Sequence, residues 1–259
     1  MNIGISNFIK PFLAVKNYEY LLDSVDSIDV APGIELNNCY ELKADSAGKK
    51  IKKIYQGKRI QSLQGIFFGL NNASLVQEYD KFKPIKNRLN FIVEMADILE
   101  ASYVIFGAPS LRANRTICLN EVYDRVSDLA SLFKNSNSKL IMEPASTKLG
   151  SEFIENPRQL HEMLNRLNNP NIASILDLGN VIQEFGSLEN FSEKYNYDHI
   201  HICANDYSLD KLCDLNIDTI LNLISDIDPK VILNIEVQPN SFFSDKDLKK
   251  LFEFISFFK

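Results

Sequence analysis

Histidine and cysteine are both scarce in this chain, with three and four residues among 259. The cysteines, Cys39, Cys118, Cys203 and Cys213, are scattered with no C-x-x-C pair. That pattern argues against a thiolate zinc cage and fits reduced, mostly buried thiols in a cytoplasmic protein. Long apolar runs are missing too. None approaches the roughly 20 residues that a membrane span requires, so no membrane partner is expected. The opening segment MNIGISNFIKPFL lacks the basic start and small-residue cleavage site of a signal peptide. There is no Gly-rich nucleotide loop and no G-x-S-x-G elbow, so neither kinase nor hydrolase chemistry is indicated. Basic residues are the minority charge: 28 Lys and Arg stand against 34 Asp and Glu, a formal charge of −6. Phosphate backbones want a basic surface, so no nucleic-acid partner is expected.

What the chain does have is alternation. Its 45% hydrophobic content is enough for a sizeable core, and the apolar residues fall into short runs separated by helical patterns. The runs are NIGIS, GIELNN, IQSLQGIFFG, YVIFGAPS, SKLIMEPAS, NIASILDLGN, YDHIHICAND and KVILNIEVQP. Between them, PIKNRLNFIVEMADILEA predicts a helix beginning at Pro84, with Ile85, Leu89, Ile92, Ala96 and Leu99 on one face. NPRQLHEMLNRLN predicts another, with Asn156 as N-cap and Pro157 at the first position. A weaker helical pattern surrounds LENFSEKY, another covers LCDLNIDTILNLISDI, and a final helix is capped by Ser244. Short apolar strands alternating with helices imply a parallel sheet with right-handed crossovers. Eight such units fit an α/β fold of the (β/α)8 TIM-barrel type, a parallel eight-stranded barrel with outer helices, as a single domain over residues 1–259. A doubly wound open sheet is the competing architecture.

Four of the runs carry a polar residue near their ends: Glu143, Asp177, His201 and Glu236. A charge in an apolar strand is costly unless paired or bound to a metal. In a barrel these ends share one rim, where active sites are built. Three carboxylates and an imidazole suit one divalent ion, Mn²⁺, Mg²⁺, Co²⁺ or Zn²⁺. His199 shares the strand face of His201 and is expected one layer deeper. His161, in a helical pattern, reads as surface or interhelical. Arg112 and Arg115, in the loop after the fourth strand, and Lys148, just beyond Glu143, are candidate contacts to substrate oxygens. Gln64 is a candidate donor to a hydroxyl. Glu35 reads as a strand carboxylate, either an acid/base or a partner for Arg59 or Arg112. The run KKIKKIYQGKR reads as the solvated face of a helix.

The pieces SLQGIFFG, YVIFGAPSLRANR, IMEPASTKLGSEFIENP, SILDLGN, HIHICAND and NIEVQ, in that order, resemble the sugar phosphate isomerase/epimerase family, built on a xylose isomerase-like TIM barrel. The resemblance is strongest from Gln61 to Glu236, and the four ligand candidates are spaced by 34, 24 and 35 residues, close to the family's usual intervals. It implies that Glu143, Asp177, His201 and Glu236 hold one divalent ion, and that Glu143 and Glu236 also exchange protons with a sugar. The implied reaction is isomerisation or epimerisation of a small sugar or sugar derivative through a metal-stabilised enediolate. The chain departs from the family at Asn180, where a histidine is frequent, and at Tyr207, where many sugar epimerases carry arginine. Asn180 remains able to donate a hydrogen bond to a substrate hydroxyl. Two alternatives stay open: a barrel that binds a sugar or metabolite without turnover, and a lyase dehydrating an inositol-like ketone. The superfamily's metal-dependent endonucleases need more histidines than this chain has. The expected partner is a small-molecule sugar in the cytoplasm, with homo-oligomerisation left open.

Overall fold

A computed structural model describes residues 1–225, 227–228, 230–238 and 242–259 of the chain. The strands are β1 (Asn2–Ser6), β2 (Ser27–Val30), β3 (Arg59–Leu63), β4 (Tyr103–Phe106), β5 (Lys139–Met142), β6 (Ile172–Ala173), β7 (Ile175–Asp177), β8 (His199–Ile202) and β9 (Ile232–Ile235). All pair in parallel, in the order β6-β5-β4-β3-β2-β1-β9-β8-β7. The two ends of that order, β6 and β7, are consecutive in the chain and separated only by Ser174. The result is a nearly closed parallel barrel with helices around it, the expected TIM barrel with its sixth strand in two pieces. Ser174 causes the break. Its N–H and its hydroxyl both donate to the Asp198 carboxylate at 2.8 Å, so its N–H leaves the ladder.

The strands are short and almost wholly buried, as a parallel sheet covered by helices requires. The helix over Tyr79–Leu99 buries Ile85, Leu89, Ile92, Ala96 and Leu99 as the spacing predicts. It starts five residues before Pro84, because buried Phe82 extends the apolar face backwards by one turn. Asn156 caps the helix Pro157–Leu167 by accepting from the Gln159 N–H, and Ser244 forms a capping box with Asp247. No helix among the described residues is long and apolar enough to cross a membrane.

Three elements differ from expectation. The second strand is Ser27–Val30, not GIELNN; Pro32 starts a short helix over Pro32–Glu35 instead. The helix after β7 is Leu178–Phe185, and LENFSEKY yields only a 3-10 turn at Leu188–Asn190. The sixth helical position therefore follows its strand with no loop, capped by the strand's own last residue, Asp177. LCDLNIDTILNLISDI forms two helices, Leu209–Cys213 and Ile217–Ile224. Asp226 in that stretch, and Pro239 at the end of the expected eighth strand, lie outside the described residues.

Candidate functional site

Side chains alternate across a strand, so residues two apart face the same side. On β8 this sends both His199 and His201 into the barrel, and on β9 and its extension Asn234 and Glu236. Asp177 ends β7 in register with His201. Glu143 follows β5, its N–H still donating to Phe106 O at 3.2 Å. The four expected ligand residues therefore meet at one rim. From His201 Nδ1 the distances are 2.9 Å to Glu143 Oε1, 3.2 Å to Glu236 Oε2 and 3.7 Å to Asp177 Oδ2. One donor atom from each residue lies within 4.8 Å of all the others.

This arrangement fits a cation. His201 Nδ1 is buried near three carboxylates and aligned in a hydrogen bond with none of them. Three acids gather around one imidazole with no lysine or arginine head among them, and like charges so close repel unless something positive lies between. Burial pushes Glu236 up to about 7, reinforced by Glu143 and Asp177 and opposed by His201. Burial works against a charged His201, but Glu236, then Asp177, Asp29 and Glu143, outweigh it and lift its pKa well above the usual value. The cluster thus holds protons that a metal must displace, because ligands bind deprotonated. Cation affinity is expected to fall as pH falls below neutrality, by about tenfold per pH unit for each proton displaced. Calorimetric titration across that range checks this, and a flat profile would contradict it.

Asp177 is held from two sides. Its Oδ1 accepts the Asn180 N–H at the start of the helix, and its Oδ2 accepts the Cys203 thiol at 3.4 Å. Burial pushes the Cys203 pKa well above that of a free thiol, so it stays a neutral donor. Gly107 at the end of β4 makes room for Glu143: a Cβ there would lie 2.0 Å from Glu143 Oε2.

Asp29 is a residue that the sequence reading missed. It lies on β2, fully buried, with Oδ2 2.7 Å from His199 Nε2 and 3.1 Å from His201 Nε2. Burial alone would raise its pKa, but His199 and then His201 hold it well below the usual carboxylate range. An anionic Asp29 draws the Nε2 proton of His201 towards itself, so that Nδ1 is the nitrogen whose lone pair faces the three acids once its proton is displaced. His199 lies a layer deeper, as expected. The signal that could have found Asp29 is the alternation of Ser27 and Asp29 with Ile28 and Val30.

Above the acids opens a cavity of about 360 Å³. Glu143, Asp177 and Glu236 form its floor, with Gln64, Asn180, Gln183, Tyr207 and Gln238 on its walls. Gln64 donates to Ser6 Oγ. The Asn180 amide nitrogen is already committed to Glu155 O at 3.0 Å, while its Oδ1 is buried without a partner, so it presents an acceptor, not a donor.

The expected basic contacts lie elsewhere. Arg112 is fully buried beneath Glu143, donating to the Glu143 carbonyl at 2.8 Å and the Phe153 carbonyl at 3.3 Å. Burial depresses its pKa to about 10. Arg115 is exposed beside a separate surface groove, its N–H bonded to Glu152. Lys148 is exposed and donates to the Gln183 carbonyl. None of the three lines the cavity. Glu35 pairs with Lys10 and accepts from Asn7 and Tyr55, not with Arg59 or Arg112. His161 is half-buried against Tyr195, with centroids 3.9 Å apart, and burial lowers its pKa to about 4. In the lysine-rich run, Lys49 and Lys52 are exposed and pair with Asp45 and Glu100.

A family model described as xylose isomerase-like TIM barrel matches residues 37–255. No curated protein matches the sequence. Among solved structures, an AP endonuclease of family 2 from Brucella melitensis is similar at a TM-score of 0.73 and 15% identity, over 99% of each chain. The 3-keto-D-glucoside 4-epimerase of E. coli is similar at 0.68 and 14% identity, also over 99% of each chain. The IolI protein with a bound zinc atom is similar at 0.67 and 13% identity, over 98% of this chain and 96% of its own. At such identities the likeness is one of fold.

Proposed function

Because the chain belongs to the xylose isomerase-like TIM barrel family, we propose that it is an isomerase or epimerase of a small sugar or sugar derivative, working with one divalent cation. One observation carries this. Glu143 and Glu236 approach His201 Nδ1 to 2.9 and 3.2 Å on the floor of an open cavity that no lysine or arginine lines among the described residues.

Held by Glu143, Asp177, His201 and Glu236, the cation would polarise a substrate carbonyl or hydroxyl and acidify the neighbouring C–H. One of the two glutamates removes the proton from that carbon. The C–H electron pair forms a C=C bond, and the carbonyl π pair moves onto oxygen. The other glutamate returns a proton: in an epimerase to the opposite face of the same carbon, as the oxygen pair re-forms the carbonyl, or in an isomerase to the former carbonyl carbon, while the hydroxyl proton of the first carbon passes to the former carbonyl oxygen and a new carbonyl forms there. Asn180 Oδ1 accepts a substrate hydroxyl, and the Gln64 amide helps to orient the sugar. Arg112 acts from beneath, fixing the backbone that carries Glu143.

The epimerase of E. coli and the zinc-bound IolI protein, both of this fold, support the reading. The endonuclease of the same fold points elsewhere, but an acidic floor and a formal charge of −6 repel a phosphate backbone. Four free thiols, one of them exposed, fit the cytoplasmic location proposed here.

The test is solvent exchange. Purified protein loaded with Mn²⁺ in deuterated water is expected to wash label into the carbon beside a ketose carbonyl, to stop when chelated, and to resume when Mn²⁺ returns. Metal analysis should find a single ion per chain. A protein that binds no divalent ion, or exchanges equally well without one, is not this enzyme.

A further inference from the structure

We propose that the cavity is built for an uncharged, unphosphorylated keto-sugar whose C–H face lies on Phe8 and Phe68; this rests on the reading of the site as a sugar isomerase or epimerase. No lysine or arginine lines the cavity among the described residues, and its only carboxylates are Glu143, Asp177 and Glu236. The positions outside the description, Asp226, Pro229, Pro239, Asn240 and Ser241, include no basic residue. The nearby cations are engaged elsewhere. Lys10 pairs with Glu35, Lys148 donates to the Gln183 carbonyl, and Arg112 serves carbonyls under the floor. Arg88 braces the wall from behind, donating to Ile66 O at 2.9 Å and Phe68 O at 3.3 Å with its guanidinium over Tyr40.

Two backbone donors near the cavity are already taken. A phosphate can bind without cations where helix N–H groups are free. At the helix Leu178–Phe185 the Asn180 N–H is taken by Asp177, and before Leu209–Cys213 the Ser208 N–H is taken by Asp206. A phosphate ester, carrying about −1.5 to −2 charges, would meet three acids and no lysine or arginine in the cavity lining.

The rest of the lining includes an apolar part, with Phe8, Phe67, Phe68, Leu70, Leu111 and Leu149. The Phe8 and Phe68 rings lie 5.8 Å apart, tilted by 45°. Phe68 is 48% exposed and Leu149 46%, so both stay wet at the mouth until something covers them. A neutral sugar matches both parts: its hydroxyls meet Gln64, Asn180, Gln183, Gln238 and Tyr207, and its C–H face meets the rings.

The experiment compares D-fructose, D-psicose and D-tagatose with D-fructose 6-phosphate on the Mg²⁺-loaded protein, by calorimetry and by solvent deuterium exchange. The phosphate ester is expected to bind about 100-fold more weakly than its parent, from like-charge repulsion. Phe68→Ala should weaken neutral ketose binding about tenfold with metal content unchanged. Leu149→Lys should bring the phosphate ester to within about tenfold of its parent. A phosphate ester that binds as tightly as its parent overturns the proposal, as does a protein that binds no neutral ketose, or unchanged ligand affinities in both variants. If neutral ketoses bind preferentially and no deuterium enters, the catalytic reading fails and this one stands.

Discussion

Glu236→Gln is expected to cut solvent exchange into substrate by about 10²–10⁴-fold while making the cation-free protein more stable. The two effects have one cause. Burial and the neighbouring acids hold this carboxyl at about 7 instead of 4.5. A group whose pKa is raised in the folded state contributes stability below its unfolded value and loses that stability as pH rises through the folded one. At a mildly alkaline pH the folded protein therefore carries an anion it would shed if it could, beside Glu143 and Asp177. The amide carries none, so the chelated variant should melt above the parent there. The advantage should vanish as pH drops below about 4.5, where both side chains are neutral. A variant that melts below its parent in mild alkali and still exchanges label would show that Glu236 is structural.

Asp29→Ala should have the largest effect on folding. It leaves His199 and His201 buried without the oxygen that both now address at 2.7 and 3.1 Å. Breaking a buried charged network by removing one partner costs about 3–5 kcal/mol. Loss of the carboxylate behind a metal-binding histidine lowers affinity by about 10–100-fold. Asp29→Asn keeps an acceptor oxygen and the side-chain shape, so most of the stability should return while the affinity does not. Urea unfolding and cation titration on the same preparations separate the two terms. Wild-type cation affinity in Asp29→Ala would mean that the imidazole is oriented by something other than Asp29.

The rim was legible in the sequence because an acid or a histidine at the end of an apolar run has few inexpensive explanations. Glu143, Asp177 and Glu236 end or follow mainly apolar strands, His201 lies one residue from the end of its own, and the four meet at one rim. β2 was opaque for the opposite reason. Ser27 and Asp29 point into a polar lumen, where Gly4, Ser27 and Asn234 crowd together, so the segment shows no apolar run and Asp29 is passed over. Arg112 misled because a basic residue in a rim loop suggests a substrate clamp. Its place in the 3-10 helix Pro109–Arg112 turns it beneath the floor, a fact of three-dimensional direction that spacing does not encode. The Ser174 break depends on a carboxylate 24 residues away and was equally out of reach.

That break leaves the cylinder with a seam. β6 zips to β5 and β7 zips to β8, so no rung of the ladder joins one lip of the gap to the other. Asp177 ends β7 on one side of the gap, and Glu143 follows β5, the partner of β6, on the other. Two carboxylates of like charge would repel across that gap, and an ion gripped by both would cinch it shut. The metal that would serve the chemistry is then also the clasp of the hoop.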